Sequence, residues 1–177
     1  MKIKKYTDFL LEKKENKDNK IHDYGCAMLY FNVKNWADII SFIDPEDVHE
    51  GEGLEDEPHL TLLYGFHKDE VTFDDISKHF KGIEEIDVEI ESVGIFENEK
   101  YDVVKFNVKK TEDIMDFNEK LSKLPHTTNF PDYHPHITIG YVKPGTGKKY
   151  IKDDYKATLK SKLLMYSADE KETMKLK

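Results

Sequence analysis

The stretch Glu57-Pro-His-Leu-Thr-Leu-Leu-Tyr-Gly65 places a histidine and a threonine two residues apart inside a run that otherwise reads as a buried strand. In a strand, residues i and i+2 point to the same face. His59 and Thr61 therefore stand side by side, while Leu60 and Leu62 face the core. Taken alone the pair says little. With eight histidines and ten threonines in the chain, chance supplies about half a His-x-Thr at this length. A core histidine bonded to a neighbouring hydroxyl or carbonyl would account for it.

The chain carries a second copy. At an offset of 77, Pro58-His-Leu-Thr-Leu-Leu-Tyr-Gly65 matches Pro135-His-Ile-Thr-Ile-Gly-Tyr-Val142 at Pro, His, Thr and Tyr, with aliphatics aligned between them. At an offset of 75, F-N-V-K-N-W-A-D-I-I-S-F from Phe31 matches F-N-V-K-K-T-E-D-I-M-D-F from Phe106 at seven of twelve positions. The two registers differ by a two-residue loop insertion. The chain thus reads as two copies of strand, helix, loop, strand, with the same His-x-Thr on the last strand of each. A third match, His126 with Thr128 in L-P-H-T-T-N-F, lacks an alternating frame and a partner in the repeat, so it reads as loop. Tyr64 and Tyr141 match across the repeat and fall on the core-facing side of their strands by simple alternation.

If the two copies pack about a pseudo-two-fold axis, His59, Thr61, His136 and Thr138 converge on one cleft. Two imidazoles and two hydroxyls suit a tetrahedral phosphate: the hydroxyls bind non-bridging oxygens and the histidines flank the attacking and leaving oxygens. A metal reading through His134 and His136 is weaker, because Pro135 disturbs the strand, no cysteine accompanies them and the first copy has Glu57 at that position. No metal and no cofactor is expected.

Composition narrows the partners. The 177 residues, 38% hydrophobic and 36% charged, suit one globular domain. The net charge is −9 and all 27 basic residues are lysine, which argues against extended nucleic acid, usually gripped by a basic face rich in arginine. Cys26, the sole cysteine, has no partner for an internal disulfide and reads as a small buried hydrophobe. No apolar run approaches the ~20 residues of a membrane span, so a cytoplasmic protein, a monomer by default, is expected.

Residues 1–20 read as a short helix at 3–11 followed by a charged linker, and 21–177 as a single domain. Within it, strands are expected at 24–33 and over 58–65. Helices are expected after Asn35, after Thr72 and from Glu112 behind a Thr111 cap. Two further strands, I-D-V-E-I-E-S-V-G-I-F and Y-D-V-V-K-F-N-V, are joined by the turn E-N-E-K. The tail holds A-T-L-K-S-K-L-L-M-Y-S and E-T-M-K-L-K. The acidic loop D-P-E-D-V-H-E-G-E-G-L-E-D-E suggests a mobile rim.

With both motifs in their duplicated frame, the sequence resembles the 2H phosphoesterase superfamily over most of residues 24–167. Its flanks, D-E-P-H-L-T-L-L-Y-G-F and Y-H-P-H-I-T-I-G-Y-V, look most like the phage-encoded anti-CBASS cyclic-oligonucleotide phosphodiesterases. The resemblance implies an α+β, bilobal fold: two pseudo-symmetric strand-helix-strand lobes with antiparallel sheets around a central cleft. It implies metal-independent hydrolysis of cyclic di- and trinucleotides in the cytoplasm of an infected bacterium, with His59, Thr61, His136 and Thr138 catalytic. Tyr24 matches the stacking tyrosine of that branch, Tyr166 is a further substrate-binding candidate, and Lys143, with Lys148 and Lys149 in the same loop, could approach phosphate. An RNA 2′,3′-cyclic phosphodiesterase or 2′-5′ RNA ligase-like enzyme, or a sponge that binds cyclic nucleotides without cutting them, are the alternatives.

Overall fold

Strand and helix follow the expected order across residues 24–177, which a computed structural model of the chain describes. The helix expected at 3–11 and the linker after it lie outside these residues. The elements are β1 (Tyr24–Tyr30), α1 (Trp36–Ile39), β2 (His59–His67), α2 (Phe73–Ser77), β3 (Ile86–Glu97), β4 (Asp102–Val108), α3 (Glu112–Leu121), β5 (His136–Val142), β6 (Ala157–Ser161), β7 (Leu163–Ser167) and β8 (Lys171–Lys175). Thr72 starts α2 with a reciprocal capping box: its side chain accepts from the Asp75 amide and the Asp75 carboxylate accepts from the Thr72 amide. Thr111 caps α3 through the Ile114 amide. Asn35 occupies the cap position of α1 without a side-chain bond, and that helix is a single turn.

The strands form one antiparallel sheet in the order β6-β3-β4-β5-β2-β1-β7-β8. Its halves are the two lobes, β2, β1, β7 and β8 against β5, β4, β3 and β6. They meet at β2 and β5, whose register contains a single residue pair, Leu60 with Ile137. The expected tail strand bends at Lys162 and serves both lobes: β6 pairs with β3 in the second, β7 with β1 in the first. At the bend, fully buried Ser161 donates its hydroxyl to the Tyr30 carbonyl at 2.8 Å.

The duplication is closer than the sequence match suggests. The Phe31 amide donates to the Pro58 carbonyl at 3.1 Å, and the Val108 amide to the Pro135 carbonyl at 3.0 Å. Tyr30 lies opposite His59 and Asn107 opposite His136. All of these pairs correspond at an offset of 77, so the F-N-V-K match at 75 is two residues out of hydrogen-bonded register and no loop insertion separates the strands. A two-residue shift preserves which face each side chain takes, which is why the shorter offset still aligned inward with inward.

One face of the sheet is covered by the helices and holds the continuous core, with Leu29, Phe31, Leu60, Phe106 and Ile137 meeting Ile114, Phe117 and Leu121 from α3. Each fully buried side chain of this size contributes roughly 1.5–3 kcal/mol. Cys26, Met28, Met165, Tyr30 and Tyr64 form a separate small cluster on the other face.

Bulges decide what else reaches that second face. The β1–β2 register shifts between Ala27 and Met28, and the β4–β5 register between Val104 and Lys105, leaving Leu62 and Ile139 as extra residues. An extra residue reverses the alternation beyond it. Tyr64 and Tyr141 therefore share a face with Thr61 and Thr138, contrary to the core-facing side expected for them. A second shift on β2 falls at Gly65, whose φ is +103°, and a Cβ there would lie 2.0 Å from the Thr127 carbonyl oxygen. Glycine at that point lets the chain around Thr127 pair with β2.

Where β2 and β5 diverge, loops take over their edges. The Thr127 amide donates to the Gly65 carbonyl and the His67 amide to the Pro125 carbonyl. On β5, the acidic loop expected as a mobile rim is instead stitched down: His49 donates to the Tyr141 carbonyl, Tyr141 to the Gly53 carbonyl and Glu55 to the Ile139 carbonyl.

Candidate active site

The junction of the lobes sets the geometry. Extending the antiparallel register of Leu60 and Ile137 by one residue each way places His59 across from Thr138 and Thr61 across from His136. The four residues named from the sequence are brought together, as two histidine-threonine diagonals about a pseudo-two-fold axis. His59 is 6% exposed and Thr138 4%, whereas Thr61 and His136 are half-buried.

Each histidine is oriented by the same backbone device. His59 Nδ1 lies 2.9 Å from the Glu57 carbonyl oxygen and His136 Nδ1 2.8 Å from that of His134. A carbonyl only accepts, so Nδ1 carries the hydrogen and, in the neutral ring, Nε2 carries the lone pair. His59 stacks on Tyr30 with centroids 5.5 Å apart and planes at 19°; His136 meets Phe96 edge-on at 5.1 Å. Loss of water around His136 pushes its pKa down to about 4; the His134 carbonyl opposes this, while the positive charge of Lys105 and the neighbouring His59 and His134 add to it.

The strands beside the two diagonals differ in chemistry. Met28 on β1 faces Thr61, whose side chain slightly opposes the rise in the Cys26 thiol's pKa. Burial raises the Cys26 thiol to about 12, so it stays protonated at neutral pH, in keeping with a small buried hydrophobe. On β4, Lys105 faces Thr138 and Asn107 faces His136.

A cleft of about 770 Å³ opens from Thr61 and His136, walled in part by Tyr64, Phe96, Phe130 and Tyr133. The Tyr133 hydroxyl donates to the Thr61 carbonyl at 2.8 Å, fastening the segment before β5 to the first motif. His126 also lines this wall, with its Nδ1 against the Leu124 carbonyl, so the third His-x-Thr is loop but not remote. Sequence reasoning missed Lys105, Phe96, Phe130 and Tyr133. Proline punctuation marked the loop that holds the last two, and nothing in their spacing marked them as walls.

The substrate-binding candidates fare unevenly. Tyr24 lies at the start of β1, on the face of Cys26 and Met28, with its ring 6.0 Å from Tyr64 and 6.4 Å from His67. Tyr166 does not face the cleft: it is buried in the core, edge-on to Phe66, its hydroxyl donating to the Val71 carbonyl, and the missing Cβ of Gly25 makes room for it. The reason is alternation on β7, where Met165 takes the cleft face and its neighbour the other. Lys143 is corrected as well. It follows β5 at the end far from His136, roughly 20 Å along the strand at ~3.3 Å per residue, and its ammonium donates to the Glu46 carbonyl. Lys148 pairs with Glu97 and Lys149 with Asp47.

Among the described residues, no group of three or more His, Cys, Asp or Glu side chains is placed to hold a metal, and no helix is long and apolar enough to cross a membrane.

Comparison with known proteins agrees with this architecture. Among solved structures, Usb1 of Kluyveromyces marxianus superposes with a TM-score of 0.58 at 8% identity, covering 88% of this chain and 99% of that one. E. coli LigT complexed with 3′-AMP gives 0.55 at 12% identity, covering 89% and 97%. At such identities the likeness is one of fold. No curated protein matches by sequence. The model of the 2′-5′ RNA ligase superfamily matches residues 37–165, which include both His-x-Thr strands. The chain belongs to the 2′-5′ RNA ligase superfamily of 2H phosphoesterases.

Proposed function

We propose that the protein is a metal-independent phosphodiesterase that cleaves the 3′-5′ bonds of cyclic di- and trinucleotides, the second messengers of bacterial CBASS antiphage defence, and so serves phage immune evasion. The observation that carries the chemistry is the pairing of Leu60 with Ile137 at the sheet junction, whose register carried one residue further each way sets His59 against Thr138 and Thr61 against His136. One neutral imidazole takes the proton of a ribose 2′-hydroxyl as its oxygen attacks the adjacent phosphorus. The other, protonated, gives its proton to the departing 5′ oxygen. The resulting 2′,3′-cyclic phosphate is opened by water with the roles exchanged. His136 suits the first base, because its lowered pKa keeps it neutral at working pH; His59 is then the acid. Thr61 and Thr138 donate to the non-bridging oxygens.

The substrate class draws on charge and size. A chain of net charge −9 without arginine is poorly suited to a long polyanion, whereas a cleft of about 770 Å³ has the scale of a small-molecule site. The solved structures of E. coli LigT with 3′-AMP and K. marxianus Usb1 with uridine monophosphate favour a nucleotide in this cleft. The name of the matching family favours a second reading, an RNA 2′,3′-cyclic phosphodiesterase or 2′-5′ RNA ligase-like enzyme. Incubation with cyclic dinucleotides, cyclic trinucleotides, 2′-5′ oligoadenylate and RNA bearing 2′,3′-cyclic ends, all with EDTA, separates them. Cleavage of the cyclic nucleotides is expected; cleavage of only the last two overturns the first reading, and binding without cleavage makes the protein a sponge.

A further inference from the structure

Lys105 is an anomaly in the second lobe. It lies at the centre of β4 and is 7% exposed, one of six polar or charged residues buried among those described; His59 and Thr138 are two of the others. Residues directly opposite in an antiparallel pair share a face, and Lys105 is opposite Thr138, so it stands on the cleft side beside the second diagonal. The corresponding residue of the first lobe is Met28.

Everything around the ammonium holds it in place without neutralising it. It donates to Asn107 Oδ1, and Asn107 Nδ2 donates to Ser92 Oγ at 2.8 Å, which fixes the amide with its oxygen toward the lysine. The ring of Phe96 lies 4.3 Å away, and the same ring packs on His136. Gly94, opposite Lys105 on β3, leaves room for this arrangement: a Cβ there would sit 2.7 Å from Asn107 Nδ2. No carboxylate among the described residues pairs with Lys105, although Lys109, Lys148 and Lys160 on the surface each have one. Buried charges are ordinarily paired. A buried, oriented ammonium beside the reacting groups and lacking a counter-ion implies an anion supplied by the ligand.

We propose that Lys105 is the phosphate-gripping residue of the site: its ammonium binds a non-bridging oxygen of the scissile phosphodiester next to Thr138 and neutralises the charge that builds there as the 2′ oxygen attacks. The inference rests on the phosphodiesterase reading and gives that site its electrostatic component. It also makes the two half-sites unequal. Lys105 sits in the half that contains His136, where a positive charge favours the neutral imidazole. Burial lowers the pKa of Lys105 itself, a penalty that a bound phosphate would relieve. The charged or titratable groups bearing on His136 are Lys105 from β4, His59 from β2 and His134 from its own segment.

Inorganic phosphate is the probe, titrated into the full chain while the ring signals of His136 are followed by NMR. Lys105→Met, which copies the first lobe, should weaken phosphate at least tenfold and lower kcat/KM for a cleaved phosphodiester about 100-fold, while Lys105→Arg should keep most of both. Asn107→Asp gives the ammonium an internal counter-ion and should weaken phosphate with Lys105 intact, so the test survives a Lys105→Met chain that fails to fold. Phosphate binding within twofold of wild type in either Lys105→Met or Asn107→Asp, or no saturable binding by wild type, overturns the assignment. The substrate reading fails separately. A chain that leaves cyclic nucleotides intact yet loses phosphate with Lys105→Met keeps Lys105 and loses the substrate; one that cleaves them with Lys105→Met unchanged does the reverse.

Discussion

The two half-sites arise from one duplicated strand-helix-strand unit, yet the strands that back them differ in polarity. Cys26, Met28 and Tyr30 flank His59 and Thr61 with sulfur and an aromatic ring. Val103, Lys105 and Asn107 flank His136 and Thr138 with a cation and an amide. Backbone geometry has been kept in both, down to the proline carbonyl that each neighbouring strand bonds and the carbonyl two residues back that orients each ring. What has diverged is the electrostatic environment. A duplicated fold supplies the symmetry of position, while burial, aided by the charge of Lys105 on the adjacent strand, holds the His136 imidazole toward its neutral form.

The largest effects are expected at the histidines. His59→Ala and His136→Ala should each lower kcat by on the order of 10² to 10⁴, with folding retained by circular dichroism and no response to EDTA. The double variant should lose little more than either alone, since the two act in one proton-transfer step. Full activity in one of the single variants would mean that its half-site is only scaffolding.

Next in size is the exchange of backing residues. Met28→Lys carries the second lobe's charge into the first, where Tyr30 stands at the position of Asn107 and sulfur atoms and tyrosine rings surround the side chain. It should cost about 3–5 kcal/mol in chemical denaturation, the scale of an uncompensated buried charge. A small effect would mean that the first floor is as receptive as the second.

The pH dependence sharpens the contrast in pKa. With His136 held down to about 4, its base form is present throughout the neutral range and is lost only as pH falls through that value. Its ring should titrate by NMR near 4, and the acid limb of kcat/KM set by this group should lie there too. Lys105→Met removes a repelling charge, so the limb should move to higher pH. A midpoint at the ordinary histidine value of ~6.5 would mean that burial does not hold the His136 ring down.

Smaller effects probe the edges. Gly65→Ala meets both a positive φ and the Thr127 carbonyl, and should cost on the order of 3 kcal/mol in thermal or chemical unfolding. Tyr133→Phe removes the bond to the Thr61 carbonyl and should cost about 1–2 kcal/mol, with a larger loss in kcat/KM than in stability if that bond positions the first diagonal.

What the sequence made legible follows from periodicity. Alternation in I-D-V-E-I placed Ile86, Val88 and Ile90 inward, as the structure has them; Thr72 and Thr111 marked helix starts through their side-chain chemistry. The paired His-x-Thr strands were visible because two residues on one face repeat in a recognisable frame. The misses share a cause. One extra residue at Leu62 or Ile139 reverses the positions that follow it, on β2 as far as the second shift at Gly65, and no residue type announces it, so Tyr64 and Tyr141 were put on the wrong side. Tyr166 and Lys143 were chosen for their chemistry without a register to say which face or which end they occupy. Lys105 was hidden in V-V-K-F-N-V, where a lone lysine among apolar residues reads as the wet side of a strand. Its significance depends on Thr138, reached only through the pairing of β4 with β5.

The bent tail strand has a consequence for how this chain could be divided. Because β6 completes the second lobe and β7 and β8 complete the first, with Ser161 tied to Tyr30 at the crossing, the boundary of the ancestral duplication is not a boundary of autonomous units. A fragment ending before β3 would leave β1 with one open edge, and the complementary fragment would carry two strands with no lobe of their own to complete. The two halves are interlocked products of one gene, and separating them would require rebuilding the tail twice.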